Sequence, residues 1–164
     1  MEESLTNMRL VLFQPDIAQN TGTLLRLAAC LDVPVDIIEP CGFHLDDRRL
    51  RRAALDYLDA LQLTRHVSWQ AYIEAFAQPG HGRLVLLTTR GELPYSEFAF
   101  QPDDSLMVGR ESAGVPEAVH RAAHARLRIP MRANLRSINV ALAAAMVLGE
   151  ALRQTGQQPG VRRP

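Results

Sequence analysis

Two kinds of hydrophobic pattern alternate along this chain. Short apolar runs, rich in Leu, Ile and Val, predict buried strands. Longer segments with apolar residues three and four positions apart predict helices. The predicted strands are 10–13, 35–38, 61–64, 83–88, 105–108 and 126–129, and the predicted helices are 21–31, 48–58, 68–77, 116–123 and 138–154.

The order of these elements predicts an α/β fold. Strands that alternate with helices through short loops form a mostly parallel sheet with helices on both faces. We expect one domain over residues 1–154 and a flexible tail over 155–164. In folds of this kind ligands bind where loops leave the carboxyl ends of the strands.

Polar clusters follow three of the predicted strands, at the edge where such a ligand would lie. The first cluster, after Phe13, contains Asn20, Thr21 and Gly22, with Arg26 about one helical turn further on. Asn20 or Thr21 can cap the following helix, and Gly22 permits the close approach of a backbone or a ligand. A capped helix with a solvated arginine would give the same pattern.

The second cluster, after Val108, contains Gly109, Glu111 and Gly114. Gly109 permits approach of a flat ligand, and Gly114 permits a turn into a helix that Pro116 begins. The third cluster precedes the last helix and comprises Arg132, Asn134, Arg136, Ser137 and Asn139. We expect Ser137 to cap that helix, which leaves backbone N–H groups directed at a polar ligand.

Charge is balanced over the chain but unevenly placed. The 18 basic residues are all arginine and equal the 18 acidic residues, so bulk electrostatic attraction to nucleic acid is excluded. A coding bias would also remove lysine, yet the arginines cluster, and the guanidinium fork suits phosphate. We therefore interpret one of these clusters as a candidate RNA contact, comprising Arg48, Arg49, Arg51 and Arg52.

Several classes of protein are disfavoured by the sequence. The acidic N-terminus lacks the apolar core of a signal peptide, and Cys30 and Cys41 show no spacing typical of a disulfide or metal site. We therefore expect a cytoplasmic protein without a metal or a membrane span. No GxGxxG follows the first strand, and a chain without lysine has no Walker motif, so common dinucleotide and P-loop enzymes are disfavoured.

The three clusters together resemble the three motifs of the SPOUT superfamily of RNA methyltransferases, in its 2′-O-ribose branch. Asn20-Thr21-Gly22 with Arg26 is similar to the first motif, and Gly109-x-Glu111-x-x-Gly114-x-Pro116 to the second. The stretches 129–131 and 136–139 are similar to the third. Residues 37–43 and 47–57 further resemble the small enzymes that methylate the wobble cytidine or uridine of tRNA.

This resemblance implies a SPOUT fold with a C-terminal trefoil knot, S-adenosylmethionine bound in the knot, and a homodimer whose site is completed across the interface. It implies transfer of a methyl group to the ribose 2′-OH of the wobble nucleotide in the anticodon stem-loop. The residues it assigns to the cofactor are Leu87, Thr88, Gly109, Ile129, Met131 and Ser137. Those it assigns to the reacting groups are Arg26, Asn20, Glu111, Ser137 and Asn139.

Arg26 would lie at the reacting hydroxyl, but a guanidinium stays protonated at ordinary pH and is a poor general base. We expect it to orient the hydroxyl and stabilise the developing charge. The chain departs from the wobble enzymes at Gly149, where they tend to have tyrosine, and a glycine cannot make an aromatic contact across the dimer there. Two alternatives stay open: a 2′-O-methyltransferase for another RNA position, and an RNA-binding or nucleotide-binding module without turnover.

Overall fold

The computed structural model describes residues 6–46 and 48–161, and at Leu55 the backbone alone. Its strands are β1 Arg9–Phe13, β2 Val35–Ile38, β3 Leu63–His66, β4 Leu84–Leu87, β5 Leu93–Pro94, β6 Ser105–Val108 and β7 Ala125–Arg128. Its helices are α1 Ala18–Cys30, α2 Arg48–Ala54, α3 Trp69–Phe76, α4 Glu117–Ala122 and α5 Val140–Thr155. Two 3-10 helices, Leu55–Ala60 and Tyr95–Glu97, follow α2 and β5.

The described strands form one parallel sheet in the order β3-β2-β1-β6-β4-β7-β5. The chain builds outward from β1 through β2 to β3 on one side, and the later strands lie on the other side of β1. Strand order therefore reverses between β1 and β6. Loops diverge from the carboxyl edge at such a reversal and leave a crevice for ligands.

Both faces of the central strands β1, β2, β4 and β6 are covered, as their nearly unbroken apolar sequences predict, whereas the edge strand β3 is largely exposed. Leu10, Leu12 and Leu106 pack on one face against α1, α2 and α5, in a core that includes Leu24, Leu50 and Leu148. Val11, Phe13 and Met107 pack on the opposite face with Tyr72 of α3 and Val119 of α4. The prediction of a mostly parallel sheet with helices on both faces is confirmed.

Two predicted helix caps are wrong. Helix α1 begins at Ala18, so Asn20 and Thr21 lie in its first turn, and its N-cap Ile17 makes no side-chain capping bond. The Thr21 hydroxyl instead donates to the Ile17 carbonyl at 3.1 Å. Helix α5 begins at Val140, and its cap is Asn139, whose side chain accepts from the backbone N–H groups of Ala141 and Leu142. Ser137 is not the cap, because the helix begins only at Val140.

The close approach permitted by Gly22 is made by α2. A Cβ at Gly22 would lie 2.5 Å from Cβ of Ala53 and 2.9 Å from the carbonyl oxygen of Leu50. Helices α1 and α2 therefore pack almost backbone to backbone, and this contact fixes the arginine-rich α2 against the helix that carries Arg26.

The remaining elements differ from prediction in detail. The second predicted helix is α-helical only to Ala54 and continues as a 3-10 helix. Strand β5 was not predicted, since two residues including a proline give no periodicity and only an edge position tolerates that proline. In the predicted tail, Gln157 is buried and hydrogen bonds to Asn7 and Pro102. Residues 1–5, 47 and 162–164, on which parts of the sequence predictions fall, lie outside the described residues.

Candidate active site

A cavity of about 500 Å³ opens at the carboxyl ends of β4, β6 and β7. Its walls come from the loops that follow these three strands, from the segment that leads into α5, and from the first turn of α1. The lining residues used below are Asn20, Leu87, Thr88, Gly109, Glu111, Ile129, Met131, Arg136, Ser137 and Asn139. The cavity therefore brings residues from all three sequence clusters into one site, whereas Arg26, Arg132 and Asn134 are not among its lining residues.

All six residues assigned to a cofactor by resemblance line this cavity. Leu87 and Thr88 lie where β4 ends, Gly109 follows β6, and Ile129 and Met131 follow β7. Ser137 lies opposite, in the segment before α5. Apolar side chains and backbone groups form much of this wall, which suits a flat heterocycle held by backbone hydrogen bonds.

The loop after β6 is closed on itself. Backbone hydrogen bonds join Arg110 and Gly114 in both directions, at 3.1 and 2.9 Å. A Cβ at Gly109 would lie 2.8 Å from the carbonyl carbon of Gly114, and Gly114 itself has a positive φ of 61°. The two glycines of the second cluster therefore shape a tight loop, which presents Glu111 and Ser112 to the cavity.

Asn139 links the first and third clusters. Its Oδ1 accepts from Ala141 N at 2.9 Å, and its Nδ2 donates to Oδ1 of Asn20 at 3.2 Å. The same side chain therefore caps α5 and ties that helix to α1 at the cavity mouth. This double use explains why an asparagine, with both a donor and an acceptor, occupies the position.

Glu111 faces a second carboxyl group, Asp16, which the sequence interpretation gave no role. The backbone N–H of Glu111 donates to Asp16 Oδ1 at 3.1 Å, and that of Asp16 donates to Glu111 Oε2 at 3.3 Å. Burial and the hydrogen bond with Asp16 raise the pKa of Glu111 to about 7. The two residues lie 95 positions apart in the sequence, so no local pattern could have found this pair.

Arg26 does not join the other predicted reacting residues. Its side chain is exposed on α1, and its guanidinium carbon lies 4.8 Å from the centre of the Tyr57 ring. Among the described residues that line the cavity of this single chain, Arg26 is missing. The guanidinium is thus held by a cation–π contact with the 3-10 helix Leu55–Ala60, which packs against α1.

The four arginines proposed as RNA contacts lie on α2. The side chains of Arg48, Arg49, Arg51 and Arg52 are exposed. Because α2 packs on α1 through Gly22, this positive surface is fixed to the helix that carries Arg26 and, at its first turn, Asn20. No helix in the described part of the chain combines the length and apolar character needed to cross a bilayer.

Proteins with a similar sequence include tRNA (cytidine(34)-2'-O)-methyltransferases of several bacteria. A tRNA (cytidine(34)-2'-O)-methyltransferase of Beijerinckia indica subsp. indica is 60% identical over 147 residues, which cover 90% of this chain and 91% of that protein. The Escherichia coli K12 protein of the same name is 41% identical over 158 residues, covering 95% and 99%.

Solved structures agree in fold. One that concerns the 2-OH methylation of C/U34 on tRNA has a TM-score of 0.84 and 41% identity, and covers 90% of this chain and 95% of that chain. The SpoU methyltransferase AviRb from Streptomyces viridochromogenes, in complex with AdoMet, has a TM-score of 0.81 and 27% identity, covering 91% and 61%. Residues 7–149 match the family described as SpoU rRNA Methylase. The chain belongs to the SpoU methylase family.

Proposed function

We propose that this chain transfers a methyl group from S-adenosylmethionine to the ribose 2′-OH of nucleotide 34, the wobble nucleotide of tRNA. The observation that carries the proposal is one cavity that is lined by residues of all three motifs. The relatives named above supply the substrate, since they match nearly the full length of this chain.

The cavity residues fit S-adenosylmethionine. A volume of about 500 Å³ suits a ligand of nucleoside size, and both apolar surface and backbone polar groups are present. Leu87, Thr88, Gly109, Ile129, Met131 and Ser137 would hold the adenosyl part. When bound, the cofactor supplies a methyl group on a positively charged sulfur, which is a good leaving group.

The protein's own residues would then align the ribose hydroxyl with that methyl group. Alignment of two bound reactants removes much of the entropic cost of reaction. Asn20, Glu111, Ser137 and Asn139 would order the site, and Arg26 would orient the hydroxyl and a neighbouring phosphate. Its planar guanidinium suits both contacts, because it donates several hydrogen bonds in one plane.

The position of Arg26 outside the lining of its own chain's cavity favours a homodimer. Two apolar side chains on α5 are exposed, Leu142 at 62% and Met146 at 43%, and Leu135 before the helix is 65% exposed. Exposed apolar residues at a spacing of four on one helix favour a partner helix on that stripe. We infer that a second copy covers it and that Arg26 of one protomer serves the cavity of the other.

The finer features of the fold belong to the same proposal. A trefoil knot would thread the segment from Ile129 to Asn139 under the loops that line the cavity. The arginines of α2 would bind the phosphates of the anticodon stem-loop, and such a substrate implies action in the cytoplasm. The two cysteines are unpaired, which agrees with that compartment.

Labelled methyl transfer into total tRNA, followed by mapping of the methylated nucleotide, tests the proposal. We expect label on the ribose of nucleotide 34, and its loss in Arg26→Ala. Label on another tRNA or rRNA nucleotide would keep the enzyme class and overturn the substrate, an alternative that the rRNA methylase family match favours. Absence of label on every RNA, with the cofactor bound, would contradict the proposed activity.

A further inference from the structure

The two loops on either side of the strand-order reversal are joined by two carboxyl groups. Asp16 lies between β1 and α1, and Glu111 lies between β6 and α4. Each carboxylate accepts the backbone N–H of the other residue, at 3.1 and 3.3 Å. The hydroxyl of Ser112 donates to the remaining oxygen of Asp16. The result is a closed ring of hydrogen bonds at the cavity wall.

The backbone of Asp16 is held firmly in this place. Gly42 donates from its N–H to the Pro15 carbonyl at 2.9 Å, and a Cβ at Gly42 would lie 2.8 Å from Cα of Asp16. The loop after β2 therefore packs directly on the backbone of Asp16. Asp16 does not line the cavity, whereas Glu111 does, so any effect of Asp16 on the reaction acts through Glu111.

Two carboxyl groups in contact share one proton more readily than both carry a negative charge. The hydrogen bond with the Glu111 side chain, more than any other contact, lowers the pKa of Asp16. Burial and Asp16 raise that of Glu111. Of the charged groups on the elements around Glu111, Arg110 donates to the Gly114 carbonyl and lies over the Phe13 ring, and Arg136 lines the cavity.

We propose that Asp16 is a positioning residue, which holds Glu111 at the cavity wall as the carboxylate that accepts the proton of the ribose hydroxyl. This inference rests on the proposed function. A lone pair of O2′ forms the new C–O bond while the C–S bond breaks and its electrons stay on sulfur. The O2′ proton passes to the Glu111 carboxylate, which leaves 2′-O-methyl ribose, S-adenosylhomocysteine and a neutral carboxyl group.

Glu111 suits this role better than the other groups at the site. The guanidinium of Arg26 cannot take a proton, because it stays charged at ordinary pH, and the amides of Asn20 and Asn139 are not bases. A general base is most effective when its pKa is close to the working pH. Burial of Glu111 raises its pKa toward that condition, and Asp16 adds to the effect, since a second carboxyl group in contact makes Glu111 more basic than an isolated glutamate.

The first test needs neither cofactor nor RNA. Carboxyl carbon NMR of ¹³C-glutamate-labelled protein should resolve one side chain that titrates near pH 7 and is missing in Glu111→Gln. In Asp16→Asn, which keeps the shape and an acceptor oxygen, that titration should move to lower pH by about one unit or more. Titration of every glutamate below about pH 5 in the wild type would overturn the proposal.

The second test is the pH dependence of kcat/KM for methyl transfer. The wild-type rate should fall about tenfold per unit below the pKa of Glu111, because the protonated carboxyl cannot accept a proton. Asp16→Asn should move this acid limb to lower pH and lower the plateau, while Glu111→Gln should lose most of the rate. Glu74→Gln on α3, an exposed carboxyl on the opposite face, is the matched control and should change neither.

The outcomes separate the two proposals. If the wild type methylates nucleotide 34 but Asp16→Asn lowers the plateau with the acid limb unmoved, Asp16 only shapes the loop and this inference is wrong. If the wild type methylates no RNA, the proposed function itself fails. Should Asp16→Asn not fold, the NMR titration of the wild type against Glu111→Gln still decides whether Glu111 titrates near neutral pH.

Discussion

Asn139 has two tasks at the mouth of the cavity. It caps α5 through Ala141 and Leu142 and binds Asn20 of α1. Ser137, two residues earlier, lines the cavity without capping the helix. These two polar residues of the third motif, which Ile138 separates, therefore differ in their contribution to stability, although both line the same cavity.

We expect Asn139→Ala to lower the free energy of unfolding by about 1 kcal/mol, because the first turn of α5 loses its side-chain acceptor. Ser137→Ala should change it by less than about 0.5 kcal/mol. Urea denaturation of both variants at equal protein concentration measures the difference. Equal losses in the two variants would contradict the cap assignment.

Arg26 combines a cation–π contact with the proposed orienting role. Arg26→Lys keeps the charge but loses the planar fork, so kcat should fall at least about tenfold. The matched control is Arg65→Lys, which should keep the wild-type rate. Arg65 is an exposed arginine on β3 that pairs with Glu39. Nearly full methyl transfer by Arg26→Lys would show that the fork is not needed.

At the scale of elements, the contact between α1 and α2 couples the proposed RNA surface to the cavity. Gly22 lies against Ala53, and α1 also packs on α5 through their shared core. The arginines of α2, Arg26 and the cap of α5 are therefore parts of one packed layer. A shift of α2 along α1 would displace Asn20 and its hydrogen bond with Asn139 as well.

Gly22→Ala should lower the free energy of unfolding by about 1–3 kcal/mol, since its methyl group overlaps Ala53 and the Leu50 carbonyl. The double variant Gly22→Ala/Ala53→Gly removes the first overlap and should recover part of the loss. Thermal or urea denaturation of the four proteins forms a complete cycle. Additive losses in the double variant would mean that the two side chains do not meet.

At the scale of the whole molecule, the described chain contains the cavity but holds Arg26 outside it. A dimer joined over Leu142 and Met146 would supply the missing arginine from the partner. Symmetry would then give two identical composite sites, each with a cavity from one protomer and Arg26 from the other. Such a dimer predicts that two inactive variants restore activity when they are combined, whereas protomers with self-contained sites would stay inactive.

Arg26→Ala and Glu111→Gln should each be inactive, whereas an equal mixture that is unfolded and refolded together should recover about a quarter of the wild-type rate. Half of the dimers would be mixed, and each of these would have one intact site. Methyl transfer into tRNA before and after mixing measures the recovery. A mixture that stays inactive, although mixed dimers form, would place both residues in the same protomer's site.

The sequence determined a good deal of this protein by itself. The pattern of apolar residues located six of the seven described strands and the five helices. The central strands gave the clearest signal, because a strand covered on both faces must be apolar along its length. It also placed three polar clusters at strand ends, where a parallel sheet exposes its loops. The motifs Asn20-Thr21-Gly22, Gly109-x-Glu111 and Ser137-Ile138-Asn139 were sufficient to indicate the family.

Tertiary structure decided the rest, for reasons of distance along the chain. The Asp16–Glu111 pair and the Asn20–Asn139 bond join residues 95 and 119 positions apart, which no local pattern encodes. The predicted cap Ser137 is wrong, because α5 begins at Val140 and the side chain of Asn139 accepts from the N–H groups of its first turn. The sequence predicted that Gly22 permits a close approach, but only the fold shows that Ala53 is the residue that approaches it. Local pattern thus fixed the elements, and contacts between distant segments decided the chemistry of the site.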